Sequence, residues 1–379
     1  MGLIEAGYNS IVLLVAIRHF DATDTAKSLL AGGTAIGFLL APAFLVTLGK
    51  TPLRTSHLCA LCMLGTATGT AIAALAPNAL SYTAGLLIAL ILVAQVPSLM
   101  VHIYTRNYHK KERGRRLSGN LMISSSIGAC VSLLIGQLLD HNLSYYQYCL
   151  LGMSIASICA ALIHLRIPSD RLREADQPCL RHDLKLAFKD KFFAAMLFAW
   201  MLMGVGNLIT IPLRVEYVAN PLYGINASNT IVLLITVIIP SITRVLSTPV
   251  WAYLFDHFNL ALVRISINLC FLVGLFLYFH STTLPFLFLS AALVGWATGG
   301  GTIAWTLWVT KVAPSGREST YMSVHSFFTG VRGVPAPFVG YWILSHLGPT
   351  QVAWTSTTFI AVSSTLFCFM VSNHRLKHK

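Results

Sequence analysis

Residues 106–139 read RNYHKKERGRRLSGNLMISSSIGACVSLLIGQLL. The first fourteen positions carry six Lys or Arg residues, and the twenty that follow carry no charged side chain. About 20 mostly apolar residues suffice for a helix to cross the hydrocarbon core of a bilayer. A basic cluster directly before such a stretch is typical of a cytoplasmic loop that leads into a transmembrane helix.

The composition of the whole chain supports the same interpretation. Of 379 residues, 55% are hydrophobic and only 10% are charged, against roughly a quarter charged in soluble domains. The apolar segments are helix-length and lack the alternating pattern of barrel strands. The sequence therefore predicts an all-α polytopic membrane protein. Twelve spans can be placed, at about residues 2–20, 28–49, 56–77, 81–104, 118–139, 144–165, 192–213, 229–254, 261–280, 284–310, 319–344 and 351–372.

The net charge of +13 is distributed unevenly along the chain. Most Lys and Arg residues fall in alternate connections, whereas the other connections hold only Arg18, Lys27 and Arg214. The positive-inside rule then places both termini in the cytoplasm. We expect the protein to lie in the cell (inner) membrane and to be a monomer. The basic segments are interpreted as anchors beside anionic lipid, and no nucleic-acid partner is expected.

Neither the cysteines nor the N-terminus changes this interpretation. Cys59 and Cys62 form a Cys-x-x-Cys pair inside an apolar span, without the second pair that a zinc site would need. Buried free cysteine behaves as a small hydrophobic residue, so no metal and no cofactor is expected. The first span begins almost at Met1 without a basic leader or a cleavage site, which does not favour a signal peptide; an upstream start is suspected.

A charged segment of mixed sign divides the chain into two halves. It occupies residues 167–191 and separates a predicted six-helix bundle at 1–166 from a second bundle, with a short basic tail, at 192–379. A shift of 202 residues superimposes Gly114 and Arg115 on Gly316 and Arg317, and Gly128 on Gly330. Transporters are often built from such repeats, so we interpret the chain as a duplicated bundle.

On these residues the sequence resembles the major facilitator superfamily, whose signature between its second and third helices, and again between the eighth and ninth, runs G-x-x-x-D-R-x-G-R-R. The stretch AYLFDHFNLALVR, residues 252–264, keeps Asp256 and Arg264, whereas PAFLVTLGKT, residues 42–51, keeps only Gly49 and Lys50. The resemblance implies twelve helices in two bundles. It also implies secondary transport of a small solute by alternating access, without enzymatic activity.

The resemblance further implies a cytoplasmic latch. In it, Asp256 would accept hydrogen bonds from the N-terminal end of the fifth helix; an ordinary loop carboxylate is the alternative. The remaining candidates for gating or latching are the basic residues and helix glycines of the repeated blocks: Arg115, Arg264, Arg317, Gly128 and Gly330.

Ionisable side chains inside predicted spans are the candidates for solute binding, because such residues are costly in a membrane. Arg244 lies about 18 Å from the cytoplasmic end of its helix at ~1.5 Å per residue, and Arg332 lies comparably deep. Two guanidinium groups at one depth suit a carboxylate or a phosphate. Glu5 and Asn9, one turn apart, could supply a counter-charge or a proton site, or Glu5 could pair with an arginine structurally. Trp305 is the preferred aromatic candidate. The polar or aromatic residues that could line the site are Gln95, His102, Asn120, Asn207, Trp296, Trp305 and His325.

Three functions are therefore compatible with the sequence. The first is a secondary transporter of a small solute, such as an organic anion, coupled to a proton or counter-solute gradient. The second is a proton-coupled exporter of drugs or metabolites, favoured by Gly119, Gly128 and Gly136 on the fifth helix but weakened by Ser132 and Leu133, which stand where that subfamily has Gly-Pro. The third is a transporter-derived sensor or scaffold.

Overall fold

The computed structural model describes residues 4, 7–8, 11–107, 110–171, 185, 188–314 and 318–376. Side chains are described at these positions except at 42, 49, 101–102, 104–106, 110–122, 318–320 and 374. Within these residues the regular structure is helical, and the one β contact is an isolated bridge between Arg54 and Arg171.

Fifteen α-helices cover the described chain. They are α1 Val12–Arg18, α2 Asp24–Gly49, α3 Thr55–Ala74, α4 Ala79–Val93, α5 Val96–Asn107, α6 Lys110–His141, α7 Tyr146–Leu165, α8 Lys191–Ala219, α9 Asn229–Leu233, α10 Ile239–His257, α11 Leu260–His280, α12 Leu284–Val312, α13 Glu318–Gly333, α14 Pro335–Leu347 and α15 Pro349–Met370. Each of the twelve predicted spans overlaps at least one of these helices. The all-α polytopic fold class is confirmed.

Nine helical stretches in the described part of the chain are long and apolar enough to cross a membrane. The predicted first, second and eleventh spans are not among these nine. The eleventh is divided into α13 of 16 residues and α14 of 13 residues. Pro335 follows the break at Val334 and has no N–H to continue the helix. The break therefore has a local chemical cause.

The chain divides into two compact units. Unit 1 comprises Met1–Gln177 with Ser228–Leu233, and unit 2 comprises Pro178–Ala227 with Leu234–Lys379. The division at residue 177 falls inside the segment predicted as a linker. Ser228–Leu233 lies in unit 1 although the chain on both sides of it belongs to unit 2.

Asp140, at the end of α6, holds the short segment Ser228–Leu233 in unit 1. Its carboxylate accepts hydrogen bonds from the backbone N–H groups of Asn229, at 2.6 Å, and Thr230, at 3.0 Å. These are N–H groups of the first helical turn, which have no partner within the helix, and a carboxylate also interacts favourably with the positive end of the helix dipole. The Arg18 guanidinium donates to the Asn229 side-chain oxygen. The π-helix Leu234–Ile238 follows directly.

Within unit 1, α3 and α4 pack through two glycines. A Cβ atom at Gly69 would lie 2.5 Å from the Gly85 carbonyl oxygen, and one at Gly85 would lie 2.7 Å from the Gly69 carbonyl oxygen. The two backbones therefore touch at this point. Small residues allow this close approach between helices in a membrane.

We expect Gly69→Ala and Gly85→Ala each to destabilise the protein by about 1–3 kcal/mol, because the new methyl group meets backbone that cannot rotate away. The measurement is the thermal unfolding midpoint in detergent. Gly152→Ala is the matched control, since a Cβ at Gly152 meets nothing within 4 Å; it should leave the midpoint unchanged or raise it slightly. Equal midpoints for all three variants would contradict the backbone contact.

In unit 2, Asp190 joins three elements at the start of α8. Its carboxylate accepts from the backbone N–H of Phe193 at 3.2 Å and from the Tyr321 hydroxyl at 3.3 Å. The Arg375 guanidinium forms an ion pair with it at 2.6 Å. Partial burial by itself raises the pKa of Asp190, but these hydrogen bonds and the Arg375 charge outweigh it, so the net pKa lies below its ordinary value.

Because its folded-state pKa is lowered, ionised Asp190 stabilises the fold above its ordinary pKa of 3.8. That contribution is lost as the pH falls through the lower folded-state value. We expect Asp190→Asn, which keeps a capping side chain, to unfold at a lower temperature than wild type at pH 6. The difference should shrink below pH 4. A difference that is independent of pH would show that the charge is not responsible.

Candidate functional site

Arg332 lies one residue before the end of α13, and its guanidinium rests on α8. Its Nη1 donates to the Trp200 backbone carbonyl. Gly204, one turn further along α8, leaves the space that the guanidinium occupies, because a Cβ at Gly204 would overlap Nη1 and Cζ of Arg332. A side chain at position 204 and the guanidinium in this place exclude each other.

Arg264 lies in the second turn of α11 and is 1% exposed. Its Cζ lies 3.9 Å from the centroid of the Trp200 ring. This is the geometry of a cation–π interaction, in which the positive charge faces the negative face of the ring. The Arg264 and Arg332 guanidinium groups are close enough to repel each other. One tryptophan therefore contacts both cations, Arg264 with its ring and Arg332 with its carbonyl.

His325 completes the arrangement from the middle of α13. It is 0% exposed, and its ring centroid lies 5.7 Å from that of Trp200, 5.4 Å from that of Trp305 and 5.3 Å from that of Trp308. The Trp200 and Trp308 rings stack at 5.6 Å. We call the six residues the cation–aromatic cluster: Trp200, Arg264, Trp305, Trp308, His325 and Arg332. All of them belong to unit 2.

Six buried polar atoms of the cluster have no hydrogen-bond partner within the described residues. They are Nε of Arg264 and of Arg332, Nε1 of Trp200 and of Trp308, and both ring nitrogens of His325. Leaving one such group unsatisfied costs about 1–3 kcal/mol, and whole domains are stable by only about 5–15 kcal/mol. A concentration of this kind, rather than one isolated atom, indicates groups that bind something polar.

The positive charge of the cluster determines which class of ligand it binds most favourably. Among the described residues, Arg264 and Arg332 form no ion pair with a carboxylate, whereas Lys27 pairs with Asp24 and Arg375 with Asp190. Two buried positive charges with unsatisfied N–H groups favour an anion. The tryptophan rings beside them provide an apolar surface that can also stack on a planar ligand.

The backbone beside Arg332 is interrupted. The helix ends at Gly333, and Pro335 and Pro337 follow within four residues. Because proline has no N–H, the carbonyls of Val331 and Gly333 lose their usual helical donors. In α8, Pro212 similarly removes a donor. Broken helices of this kind are typical of binding sites in transporters.

The remaining predicted binding residues lie at different places. Trp305 is in the cluster, as described. Asn207 is on α8, one turn from Gly204, and its buried side-chain oxygen has no partner in the described structure. Arg244 is half-buried on α10, where its carbonyl accepts from Ser247 and Thr248. The cation that shares Trp200 with Arg332 is Arg264. The pairing of Arg332 with Arg244 at one depth stays a prediction. Glu5 and Asn9 lie outside the described residues.

The predicted latch residues are also dispersed. Asp256 is exposed at the end of α10, and its charge acts on Lys311, whose ammonium donates to the Phe255 carbonyl. Arg264 belongs to the buried cluster. Gly128 and Gly330 are buried within α6 and α13. Arg317 and the side chain of Arg115 lie outside the described residues, so the latch stays a prediction.

Sequence reasoning did not single out Gly204, Trp200 or Trp308. In WMLMG, residues 200–204, a glycine follows a tryptophan by four residues. Residues four apart lie on the same helix face, so this spacing indicates a gap, or notch, in the side-chain surface beside the aromatic ring. Such a pattern is equally common in ordinary helix packing. What distinguishes this one is the arginine that fills the notch from another helix.

Apolar helices of membrane-spanning length are those of an integral membrane protein, and the unpaired hydrogen-bonding groups buried among them are typical of one that binds a polar solute. The chain belongs to the Major Facilitator Superfamily, whose family model matches residues 1–240 and 215–379. It is thus a multi-pass membrane transporter and not an enzyme. Its solute is small, as is usual in this family.

Solved transporters share the fold over nearly the whole chain. The structure is similar to that of a mutant of the nucleoside transporter NupG, with a TM-score of 0.78, 14% identity and coverage of 97% of this chain and 96% of that one. It is similar to the D-xylose-proton symporter, with a TM-score of 0.72, 15% identity and coverage of 100% and 97%. For the human organic anion transporter MFSD10 the TM-score is 0.60, the identity 16% and the coverage 90% and 83%. At these identities the likeness concerns the fold alone.

No curated protein sequence matches the chain.

The notch at Gly204 gives a prediction that is independent of any ligand. Gly204→Ala should destabilise the protein, since its Cβ displaces the Arg332 guanidinium. In an Arg332→Ala background the same change should cost little, because the space is then free. The coupling between the two substitutions should reach about 0.5–3 kcal/mol, the usual range for residues in contact, measured from unfolding midpoints in detergent.

Gly206→Ala is the control for this cycle. A Cβ at Gly206 would meet the Ser356 carbonyl oxygen at 2.7 Å, so it should destabilise equally in both backgrounds. Additive effects of Gly204→Ala and Arg332→Ala would mean that the guanidinium does not occupy the notch.

Proposed function

We propose that this protein is a secondary active transporter that moves a small organic anion by alternating access. The observation that carries the proposal is the burial of Arg264 and Arg332 in one cluster, with free Nε–H donors and no carboxylate partner among the described residues. Two such charges favour an anionic solute over a neutral sugar or a cation.

The geometry of the donors supports a carboxylate or a phosphate ester as the charged group. Guanidinium N–H groups form short, charge-assisted hydrogen bonds with such oxyanions, often two at a time. Trp305, which is half-buried, and the buried Trp200 and Trp308 offer aromatic faces next to these donors. The solute we propose is therefore an organic anion with a planar or apolar body.

The helix interruptions support movement at the site. Arg332 is three residues from Pro335, so a bend between α13 and α14 would move the guanidinium away from the Trp200 carbonyl. Helices that absorb backbone rotation at a few positions are common in transporters. The latch of Asp256 with Arg115 and Arg317, and the hinge role of Gly128 and Gly330, are part of the proposal. Arg264, which faces the Trp200 ring, is assigned to the anion site instead.

The coupling and the orientation are also proposals. We infer coupling to a proton or counter-solute gradient, with Glu5 and Asn9 as candidates for a counter-charge, and Arg244 and Asn207 as further binding residues. We place a monomer in the inner membrane with both termini in the cytoplasm, on the distribution of Lys and Arg. The transporters of similar fold carry nucleosides, xylose with protons, or organic anions, so the fold is compatible with an anion.

The export of cationic drugs is the second candidate. Two buried cations without a carboxylate partner among the described residues disfavour it, because a positive solute would be repelled at the same place. A sensor without transport activity is the third candidate, and proteoliposomes that fail to transport any solute would favour it.

The test is uptake into proteoliposomes of a radiolabelled panel: benzoate, succinate, glucose 6-phosphate, xylose and tetraphenylphosphonium. We expect uptake of one or more anions by the wild type. Arg332→Gln and Arg264→Gln should each weaken it by about 10- to 100-fold in kcat/KM, since a hydrogen bond to a charged group is worth about 1.5–3 kcal/mol. Arg332→Lys should recover only part, because an ammonium lacks the planar fork.

Arg166→Gln is the matched control. Arg166 is exposed at the end of α7 in unit 1, so its loss removes one positive charge without touching the cluster, and anion uptake should stay at the wild-type level. The double variant Arg264→Gln, Arg332→Gln with full anion uptake would overturn the proposal, as would uptake of tetraphenylphosphonium but of no anion.

A further inference from the structure

His325 is a buried, titratable side chain without a hydrogen bond to any described residue. It is 0% exposed, and neither Nδ1 nor Nε2 has a partner there. A neutral imidazole contains one donor and one acceptor, and a protonated one contains two donors. Its three ring neighbours are tryptophans, in T-shaped contact for Trp200 and Trp308 and tilted for Trp305, and an indole is not a proton acceptor. If position 325 only filled space among the tryptophans, an apolar aromatic side chain would pack there equally well.

The charges that face His325 in the described structure are all positive. Arg332 follows it on α13, and Arg264 faces it from α11; both act on it electrostatically. The elements packed against it from α8 and α12 present the uncharged rings of Trp200, Trp305 and Trp308. Tyr321, one turn earlier on α13, is neutral and directs its hydroxyl to Asp190.

The carboxylate of Asp190, at the start of α8, already has other partners. Asp190 is bound by Arg375, by Tyr321 and by the first turn of α8. α15, which packs on Trp200 through Phe367, has no Asp, Glu, Lys or Arg residue. With two guanidinium groups that have no carboxylate partner among the described residues, a third positive charge at His325 is unfavourable.

A bound anion changes the net charge around His325. Once it is bound at Arg264 and Arg332, it offsets part of the positive charge and presents an oxygen that can accept a hydrogen bond. A protonated imidazole can then donate to that oxygen. The anion therefore favours the proton, and by thermodynamic linkage the proton favours the anion by the same factor.

We propose that His325 is the coupling residue and binds one proton together with the anion, so that the protein is a proton–anion symporter. The inference rests on the anion transport proposed above, and it chooses the proton over a counter-solute. The proton comes from water on the side where the anion enters. It leaves to water on the other side when the anion dissociates, and no bond other than N–H is made or broken.

The direct test is proton uptake on ligand binding. Purified wild-type protein in weakly buffered detergent solution is mixed with benzoate, succinate or sulfate, and the change in pH is followed with a pyranine indicator while binding is measured by equilibrium dialysis. We expect about one proton taken up for each anion bound near pH 7.5. His325→Gln, which keeps a hydrogen-bonding side chain of similar size, should bind the anion with less than about one tenth of that proton uptake.

His164→Gln is the matched control. His164 is likewise buried, 7% exposed, with an unpartnered Nδ1, but it lies on α7 in unit 1. This variant should take up protons as the wild type does. Unfolding midpoints identify any variant that is not folded.

A second measurement needs no variant. The wild-type affinity for the anion should rise as the pH falls from 8 to 6, by up to tenfold per pH unit, because each bound anion carries one proton.

The outcomes separate the two proposals. Anion binding with equal proton uptake in wild type and His325→Gln, or binding without any proton uptake and with a pH-independent affinity, overturns the role of His325 and leaves anion transport intact. Failure of the wild type to bind any of the three anions overturns both. Proton uptake that is lost only in His325→Gln supports both.

Discussion

Two positive charges are held inside an apolar bundle, and much of the arrangement around them follows from that requirement. Moving a guanidinium out of water costs several kcal/mol unless other groups replace the lost hydration. For Arg264 the replacement is the face of Trp200. For Arg332 it is the Trp200 carbonyl and the notch above Gly204. Neither solution uses a carboxylate of the described residues, so the charge itself remains uncompensated there.

In a structural core, this uncompensated charge would cost free energy of folding without any benefit. In a transporter, a bound ligand can offset that cost. A buried ion pair satisfies itself, whereas a buried cation with unpaired donors has free energy to gain from a ligand. The same reasoning explains why a positive charge on His325, beside two arginines, is unfavourable without a ligand. If the ligand is an anion, the charge balance of the whole cluster changes when it binds, and a proton can follow it without a separate acidic residue.

The scaffold around the cluster obeys the rules of helices in lipid. Glycines bring backbones into contact, as Gly69 and Gly85 do between α3 and α4, and serine hydroxyls donate to carbonyls of neighbouring helices, as Ser356 donates to Gly206 and Ser363 to Ala199. These contacts make rigid units. Departures from regular helix occur at a few places, including the break at Val334 and the π-helix Leu234–Ile238, and they allow local bending in otherwise rigid helices.

The sequence alone determined that most of the chain lies in lipid, that its fold is all-α and polytopic, and which charged residues had to be explained. Hydropathy is a local property, so twelve spans could be placed from composition in short windows. Arg332 and Trp305 could be singled out because polar or aromatic residues inside apolar helices are conspicuous, whereas His325 was one of seven candidates for lining the site. The tertiary structure alone decided that Arg264, interpreted as part of a cytoplasmic latch, turns inward onto Trp200. It also decided that Gly204 makes room for Arg332 and that Asp140 holds the start of α9 in unit 1. These contacts join residues that are 64, 128 and 89 positions apart, and which helix faces meet depends on the packing of all the helices, which no local pattern encodes.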